Sequence, residues 1–340
     1  MTLDGKNPRV FVAGINAVTP ETPGSSQNFV NRLIAQGFNA TTNPGSADYF
    51  VCVDHSRSDL RSARRMGITR ERSVLIRNEP TVVSPENRDS VVRKEYALII
   101  DMGRPSSISK NTMPWPQQWP SGAFEPVDEY QRENRIVLIN ANKISFLPGE
   151  LYSLRRASLA KFDSIDLFGQ GWNMSFGEKL KHYLSNLWIA LKSGQLPHIS
   201  GGKYFFRNYD NWKGAPADKR EIGKQYKYAL VIENSKEFIT EKLFDALFSG
   251  CIPIYVGPSL EEFGFPNNLY VKAEDNVESI SQQIKSVHEM DYGKWRTECA
   301  NWLSKEEVLS IWESQNVNKK IFNQITKFIR EGQAGSSNSI

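Results

Sequence analysis

Cysteine, histidine and long apolar runs are all scarce in this chain of 340 residues. The three cysteines, Cys52, Cys251 and Cys299, are odd in number and far apart, which excludes a disulfide framework. Cys52 and Cys251 sit in apolar, strand-like stretches where a free thiol serves as a small hydrophobe, so a reducing compartment is expected. The four histidines, His55, His182, His198 and His288, show no metal-ligand spacing. There is no C-x-x-C, no P-loop and no G-x-G-x-x-G fingerprint. No D-x-D triad follows an apolar strand, so the usual carboxylate cradle for a divalent cation on a diphosphate is missing. No apolar run approaches the roughly 18 residues that span a bilayer, and nothing reads as a signal peptide. A cytoplasmic protein, peripheral at most at the inner face of a membrane, is the expectation. The net charge of +4 is too mild to imply nucleic acid. Repeats and low-complexity tracts are absent.

The length exceeds what one hydrophobic core usually supports, so two domains are expected. A composition of 39% hydrophobic and 24% charged residues is that of an ordinary globular protein. Apolar strands alternate with helical patterns from the start: RVFVAG (9–14), a helix over 28–36 with Phe29, Leu33 and Ile34 on one face, then strands at 49–53, 74–76 and 96–100. Residues 103–133 break the pattern with clustered prolines and two tryptophans, Trp115 and Trp119. Such a stretch reads as a long loop or linker. Its tryptophans either pack an interface or stack on a sugar ring. Strands resume at 135–140 and 165–168, with a helix over 150–162 between them. Beyond a strand at 269–271 and a helix at 277–290, residues 291–330 read as helical. The sequence GQAGSSNSI reads as a disordered tail.

The most informative stretch is Tyr226 to Pro258, YKYALVIENSKEFITEKLFDALFSGCIPIYVGP. Ala229 to Ile232 is continuously apolar, as in a strand covered on both faces. Glu233, Asn234 and Ser235 follow at its carboxyl end. Thr240 suits the N-cap of the next helix, with Glu241 and Lys242 in the first turn. Leu243, Phe244, Leu247 and Phe248 recur at helical spacing, Gly250 suits the left-handed position after the helix, and Cys251 to Val256 forms the next strand. Strand ends and helix N-termini of open α/β sheets bind anions, so a phosphate is the natural ligand for a lysine placed there. The plainer alternative is a structural βαβ unit with Glu241 and Lys242 as a solvated helix start.

This string resembles the signature of glycosyltransferase family 10, the α1,3/4-fucosyltransferases. The matching pieces are Tyr226-Lys227-Tyr228, Glu233-Asn234-Ser235, Thr240-Glu241-Lys242 and the G-x-x-P-x-x-x-G close from Gly250 to Gly257. One departure is a spacer of four residues, Lys236 to Ile239, where the family often has six. A tyrosine that some members carry just after the first segment is Ala229 here. The resemblance implies an α/β fold of the GT-B type, two Rossmann-like domains facing across a cleft. The N-terminal domain (1–145) would bind acceptor and the C-terminal domain (146–305) the nucleotide sugar, followed by a helical segment (306–330) and the tail (331–340). Animal members carry a Golgi membrane anchor; the lack of one here points to a bacterial-type member.

With no metal triad, the charge of a departing diphosphate must be met by Lys, Arg and helix N-termini. Lys242 is the first such group. The family also carries an arginine-containing helix before a strand that Ile165-Asp166-Leu167-Phe168-Gly169 matches. The helix LYSLRRASLAK supplies Arg155 or Arg156. Arg155 is chosen for the leaving group, Arg156 stays in the donor set, and a solvated helix face must account for at least one of the two. By resemblance, Tyr226, Asn234, Ser235 and Glu241 complete the donor contacts. Asn234 and Ser235 could equally form a structural turn, and Glu241 could merely complement the helix dipole. Inversion needs one carboxylate base on the acceptor hydroxyl. The family places it in an E-S-P-like segment after an N-terminal strand. Glu79 in VLIRNEPTVVSPEN is chosen, with Glu86 as runner-up, although the triplet itself is not intact. Arg57, Arg61, Arg64, Arg65, Arg70 and Arg72 form a basic run. It reads as a solvated helix face, or as an attractor for an acidic glycan, a lipid-diphosphate acceptor or an anionic membrane.

The resulting expectation is an inverting, metal-independent transfer of L-fucose from GDP-β-L-fucose, with no cofactor, to a glycan hydroxyl. The linkage would be of α1,3 type, on an N-acetylglucosamine-type residue of an oligosaccharide or lipid-linked acceptor. The rivals are another nucleotide-sugar donor on the same fold, or a nucleotide- or glycan-binding module without catalysis.

Overall fold

The computed structural model describes residues 7–14, 26–106, 111–114 and 132–337, which form two compact units. The first holds the chain as far as Met102, a short strand at residues 112–113, and the helix from Gln315 onward. The second takes Gly103 and its neighbours together with Pro114 to Ser314.

The first unit runs β1 (Arg9–Gly14), α1 (Ser26–Ala35), β2 (Asn39–Thr41), β3 (Tyr49–Val53), α2 (Arg57–Arg65), β4 (Ser73–Arg77), α3 (Asp89–Glu95), β5 (Leu98–Met102) and β6 (Thr112–Met113). The strands form one parallel sheet in the order β2-β1-β3-β4-β5-β6. Every residue of β3 and β4 is buried, as a parallel sheet covered on both faces requires. Phe11, Phe50, Leu75, Val92 and Tyr96 pack one face. The strand expected at 96–100 lies at 98–102, because Tyr96 is buried as the residue after α3 rather than within the sheet.

The second unit continues with β7 (Glu133–Ile139), α4 (Tyr152–Lys161), β8 (Ile165–Phe168), α5 (Phe176–Lys192), α6 (Lys219–Gly223), β9 (Tyr226–Ile232), α7 (Glu241–Phe248), β10 (Ile252–Val256), β11 (Val271–Lys272), α8 (Val277–Val287), α9 (Tyr292–Leu303) and α10 (Glu306–Trp312). Its parallel sheet has the order β11-β10-β9-β7-β8. The path from β7 to β8 runs one way along the sheet, and that from β9 through β10 to β11 runs the other. Right-handed crossovers therefore put α4 and α7 on opposite faces, and the direction reverses between β7 and β9. Leu243, Phe244 and Leu247 of α7 are fully buried on the sheet, as their spacing predicts. Gly250 follows with φ +74°, and the Gly250 and Cys251 amides donate to the Leu247 and Ala246 carbonyls.

Three expectations about the division change. The units part at Met102 rather than near 145, because β7 pairs with β8 and β9 in the second sheet. The C-terminal segment is not one run: α10 ends where Glu313 turns extended (ψ 135°), and α11 (Ser314–Ser337) follows. The tail expected to be disordered from 331 is helical as far as Ser337. Val317, Ile321, Ile325 and Ile329 repeat every fourth residue and are all buried, which carries the helix past its polar end. In the first unit the ring of Phe328 meets Tyr49 edge-on at 6.5 Å, and Arg32 lies 5.5 Å over Phe322. Trp115 and Trp119 fall outside the described residues. All three cysteines are free and buried, and burial pushes each thiol up to about 12.

Candidate functional site

In the second unit the reversal point of the sheet lies where the carboxyl ends of β7 and β9 emerge. Three consecutive residues at the end of β9 are gripped from both faces. Glu233 is fully buried and accepts the Thr240 amide at 2.9 Å, the Thr240 hydroxyl at 2.7 Å and Lys242 Nζ at 3.5 Å. Thr240 is the residue before α7, but its hydroxyl makes no capping bond to the helix. It instead bridges Glu233 and Lys242, whose Nζ donates to it at 2.7 Å. Lys242 keeps only 13% of its side chain exposed, so its ammonium sits at the helix start with its direction fixed.

From the other face, Arg155 of α4 donates through Nε and Nη2 to the Ile232 carbonyl at 3.1 and 2.6 Å, and through Nη2 to Asn234 Oδ1 at 3.0 Å. Its guanidinium lies 4.9 Å over the Tyr152 ring. Burial pulls this arginine below its ordinary value, against the attraction of Tyr152 and Glu233. Glu241, half-exposed, faces Lys219 at 3.6 Å and Lys242 at 3.7 Å. Burial raises its carboxyl, but those two cations outweigh it and hold it down to about 2. The structure thus brings Lys242, Arg155, Asn234 and Glu241 to one strand end. A cavity of ≈ 40 Å³ runs from there between the sheet and α7, with Asn140, Lys219 and Lys242 among its lining residues. That volume holds about one or two waters. A nucleotide would have to sit outside it, over the strand ends.

Other expected donor residues are placed elsewhere. Arg156 points away, donating to the carbonyls of Lys203 (3.0 Å), Lys143 (2.5 Å) and Gly201, and stacking over Phe205 at 5.4 Å. All three of its guanidinium nitrogens are engaged by backbone, so it is a staple of the fold and not a donor contact. Tyr226 opens β9 and donates to Asp166 at 3.1 Å. At about 3.3 Å per residue it lies roughly 20 Å from the binding end of its strand, which removes it from the donor set. Ser235 is buried, and its Oγ accepts the Glu237 amide at 3.2 Å, a turn-forming role.

The short spacer after Ser235 is firmly tied. The Ile239 amide donates to the Gly103 carbonyl at 2.8 Å, Arg104 reaches Glu237 at 2.9 Å and lies 4.8 Å over Phe238, and Lys236 pairs with Asp275. Gly103 has φ +65°, and a Cβ there would stand 2.3 Å from the Ile239 carbonyl oxygen, so glycine is required. Two residues escaped the sequence reading: Glu233 as the anchor of Lys242, and Arg104 as the pin of the spacer. Glu233 had a signal, a carboxylate ending a continuously apolar strand. Arg104 had none, since its partner is 133 residues away.

In the first unit Glu79 follows β4 in a half-buried turn. Its amide and that of Asn78 donate to Asp54 Oδ1 at 2.9 and 2.8 Å, and Asn87 Nδ2 donates both to Asp54 Oδ1 (2.7 Å) and to the Glu79 carbonyl (2.9 Å). Asp54 adopts φ +56° directly after β3, a conformation its residue type tolerates. Burial raises its carboxyl, working against the bonds from Glu79, Asn87 and Asn78. The backbone around Glu79 is therefore held rigidly. Glu86, by contrast, is paired with Arg57 at 2.8 Å on the surface. The rest of the arginine run is a solvated face with internal partners, such as Arg64 with Glu95 at 3.2 Å.

Residues 199–336 match the family described as glycosyltransferase family 10 (fucosyltransferase), C-terminal. A putative fucosyltransferase-like protein of Arabidopsis thaliana is 38% identical over 73 residues, covering 20% of this chain and 14% of that protein. The human 4-galactosyl-N-acetylglucosaminide 3-alpha-L-fucosyltransferase 9 is 35% identical over 82 residues, 21% of this chain and 23% of that protein. The chain thus spans less than a quarter of the length of either relative. Among solved structures, an alpha1,3-fucosyltransferase with GDP superposes with TM-score 0.52 at 14% identity, covering 97% of this chain and 92% of that one. Anabaena HepE in complex with UDP and glucose gives TM-score 0.54 at 10% identity, covering 94% of this chain and 100% of that one. At such identities the likeness is one of fold, the two parallel α/β domains of GT-B glycosyltransferases.

Proposed function

We propose that this chain, whose residues 199–336 match glycosyltransferase family 10, transfers L-fucose from GDP-β-L-fucose to a glycan hydroxyl with inversion at the anomeric carbon. The observation that carries the reading is the convergence of Lys242 and Arg155 on three consecutive residues at the end of β9. Glu79 removes the proton of the acceptor hydroxyl, whose oxygen forms the new bond to the anomeric carbon. The bond from that carbon to the β-phosphate oxygen breaks, and the electron pair leaves with GDP. Lys242 and Arg155 meet the charge that grows on the diphosphate, which is where fixed cations stabilise a transition state most. No divalent ion is needed for this step. The β-linked donor sugar becomes an α-linked product. The acceptor class is an N-acetylglucosamine-type residue joined through its 3-hydroxyl, on an oligosaccharide or a lipid-linked glycan.

The test is a thermal-shift panel of GDP, UDP and CDP, followed by mass spectrometry of a mixed glycan acceptor pool incubated with GDP-fucose and chelator. GDP at a hundredfold excess over its Kd should stabilise the fold by about 2.7 kcal/mol, with UDP and CDP ineffective. Lys242→Met should cut turnover by about 100-fold or more while the protein stays folded. Stabilisation by UDP or CDP alone would change the donor. GDP binding with no product across the pool would leave a binding module.

A further inference from the structure

The helix α5 (Phe176–Lys192) is the least embedded long element of the second unit. Of its 17 residues only Lys179 and Ala190 are buried. Helical spacing places Phe176, Leu180, Leu184, Leu187 and Leu191 on one stripe beside Trp188, bordering the side that holds those two residues. Leu184 is 55% exposed and Trp188 58%. The chain after α5 adds two more exposed apolar side chains, Leu196 (90% exposed) and Ile199 (80% exposed). Ten of the thirteen large hydrophobic side chains exposed among the described residues fall within 176–206, so the exposed apolar surface is concentrated in this one segment. The ring of Phe206 packs against α5, lying 5.4 Å from both Phe176 and Tyr183. Patches of this kind on a monomer mark a surface that is covered in use.

The charge around the patch says what covers it. Residues 176–207 carry five Lys and Arg against one acid, Glu178. Lys179 is buried, donating to the Arg207 carbonyl and Asn208, which leaves four basic side chains against that one acid. Lys181 and Lys192 lie together along the Trp188 edge of the stripe, and Lys192 Nζ lies 4.9 Å over the Trp188 ring. Glu178 is engaged in the capping box with Ser175 at the helix start. A two-fold pairing of this face with a second copy would bring two such positive segments together, which is unfavourable. An anionic lipid surface instead satisfies both features: apolar side chains and Trp enter the acyl boundary while the lysines meet the headgroups.

We propose that α5 and the Leu196–Ile199 loop dock this protein on anionic phospholipid bilayers, with α5 lying in the plane of the interface. No described helix is long and apolar enough to cross the membrane. The inference stands independently of the transferase reading. An anionic membrane is one alternative reading of the arginine run at 57–72; the proposed contact lies instead on a different element, in the second unit.

The probe is co-sedimentation of the full chain with vesicles of phosphatidylcholine containing one-third phosphatidylglycerol, against vesicles of phosphatidylcholine alone, at physiological ionic strength. The protein should pellet with the anionic vesicles and be released by high salt. The double substitution Leu184→Gln, Trp188→Gln should lower partitioning by about tenfold or more. Lys181→Gln with Lys192→Gln should lower it about fivefold per charge. All these side chains are exposed, so the melting temperature should hold in both variants, which excludes misfolding as the cause. Failure of the parent protein to pellet with anionic vesicles would overturn the proposal, as would unchanged binding by L184Q/W188Q. A parent dimer in sedimentation velocity that this variant dissociates would also overturn it, assigning the face to a second copy.

Discussion

Lys242 and Arg155 are both nearly buried cations, but they are held in opposite ways. Lys242 faces a buried carboxylate, Glu233, and shares a hydroxyl with it. Arg155 donates to a carbonyl and an amide oxygen and lies over the Tyr152 ring. An arginine so placed keeps its charge at a desolvation cost that an arriving phosphate would relieve. Glu79 differs again, since its backbone is clamped by Asp54 and Asn87. Glu79→Gln should therefore leave GDP affinity within about twofold of the parent while turnover falls about 10²- to 10⁴-fold, the usual weight of a general base. Calorimetric titration with GDP beside a fucosyl-transfer assay separates the two. Retained turnover would pass the role to another carboxylate.

At the scale of elements, the adjacent arginines of α4 face different ways, and the proposed function gives them different tasks. Arg155 looks to the strand end, whereas Arg156 staples residues 143, 201 and 203 to the helix. Arg156→Met should lower unfolding free energy by about 2–4 kcal/mol, because buried carbonyls lose charged donors, with GDP affinity of the folded protein unchanged. Arg155→Met should weaken GDP binding by about tenfold or more. Urea unfolding together with GDP titration of both variants tests the assignment; the reverse pattern would exchange the two roles. The strand, helix and strand of β9, α7 and β10 were legible in the sequence because continuous apolar runs and a 3.6-residue period are local signals. The short strands β2, β6 and β11 were not, since two or three residues carry no period. α5 has a clear helical stripe, but the period does not tell whether protein covers it.

At the scale of the molecule, α11 closes the chain by returning to the unit where it began. Its ring contact with Tyr49 and its place beside Arg32 predict that ending the chain at Ser314 destabilises the first unit selectively. Hydrogen exchange should show protection lost in β1 and β3 and largely kept in β9 and β10; equal loss in both would contradict this. The residue string alone determined the parallel α/β class, the strand end that holds the candidate site, and Lys242 at the start of α7. Those follow from local pattern, in which neighbouring residues decide which faces are apolar and where a helix begins. Only the tertiary structure decided which arginine faces the strand end, that Tyr226 stands at the wrong end of β9, that β7 belongs to the second sheet, and that the stripe on α5 stays bare. Each of these depends on a partner that lies far away in sequence, and periodicity says which side chains share a face but not what that face meets.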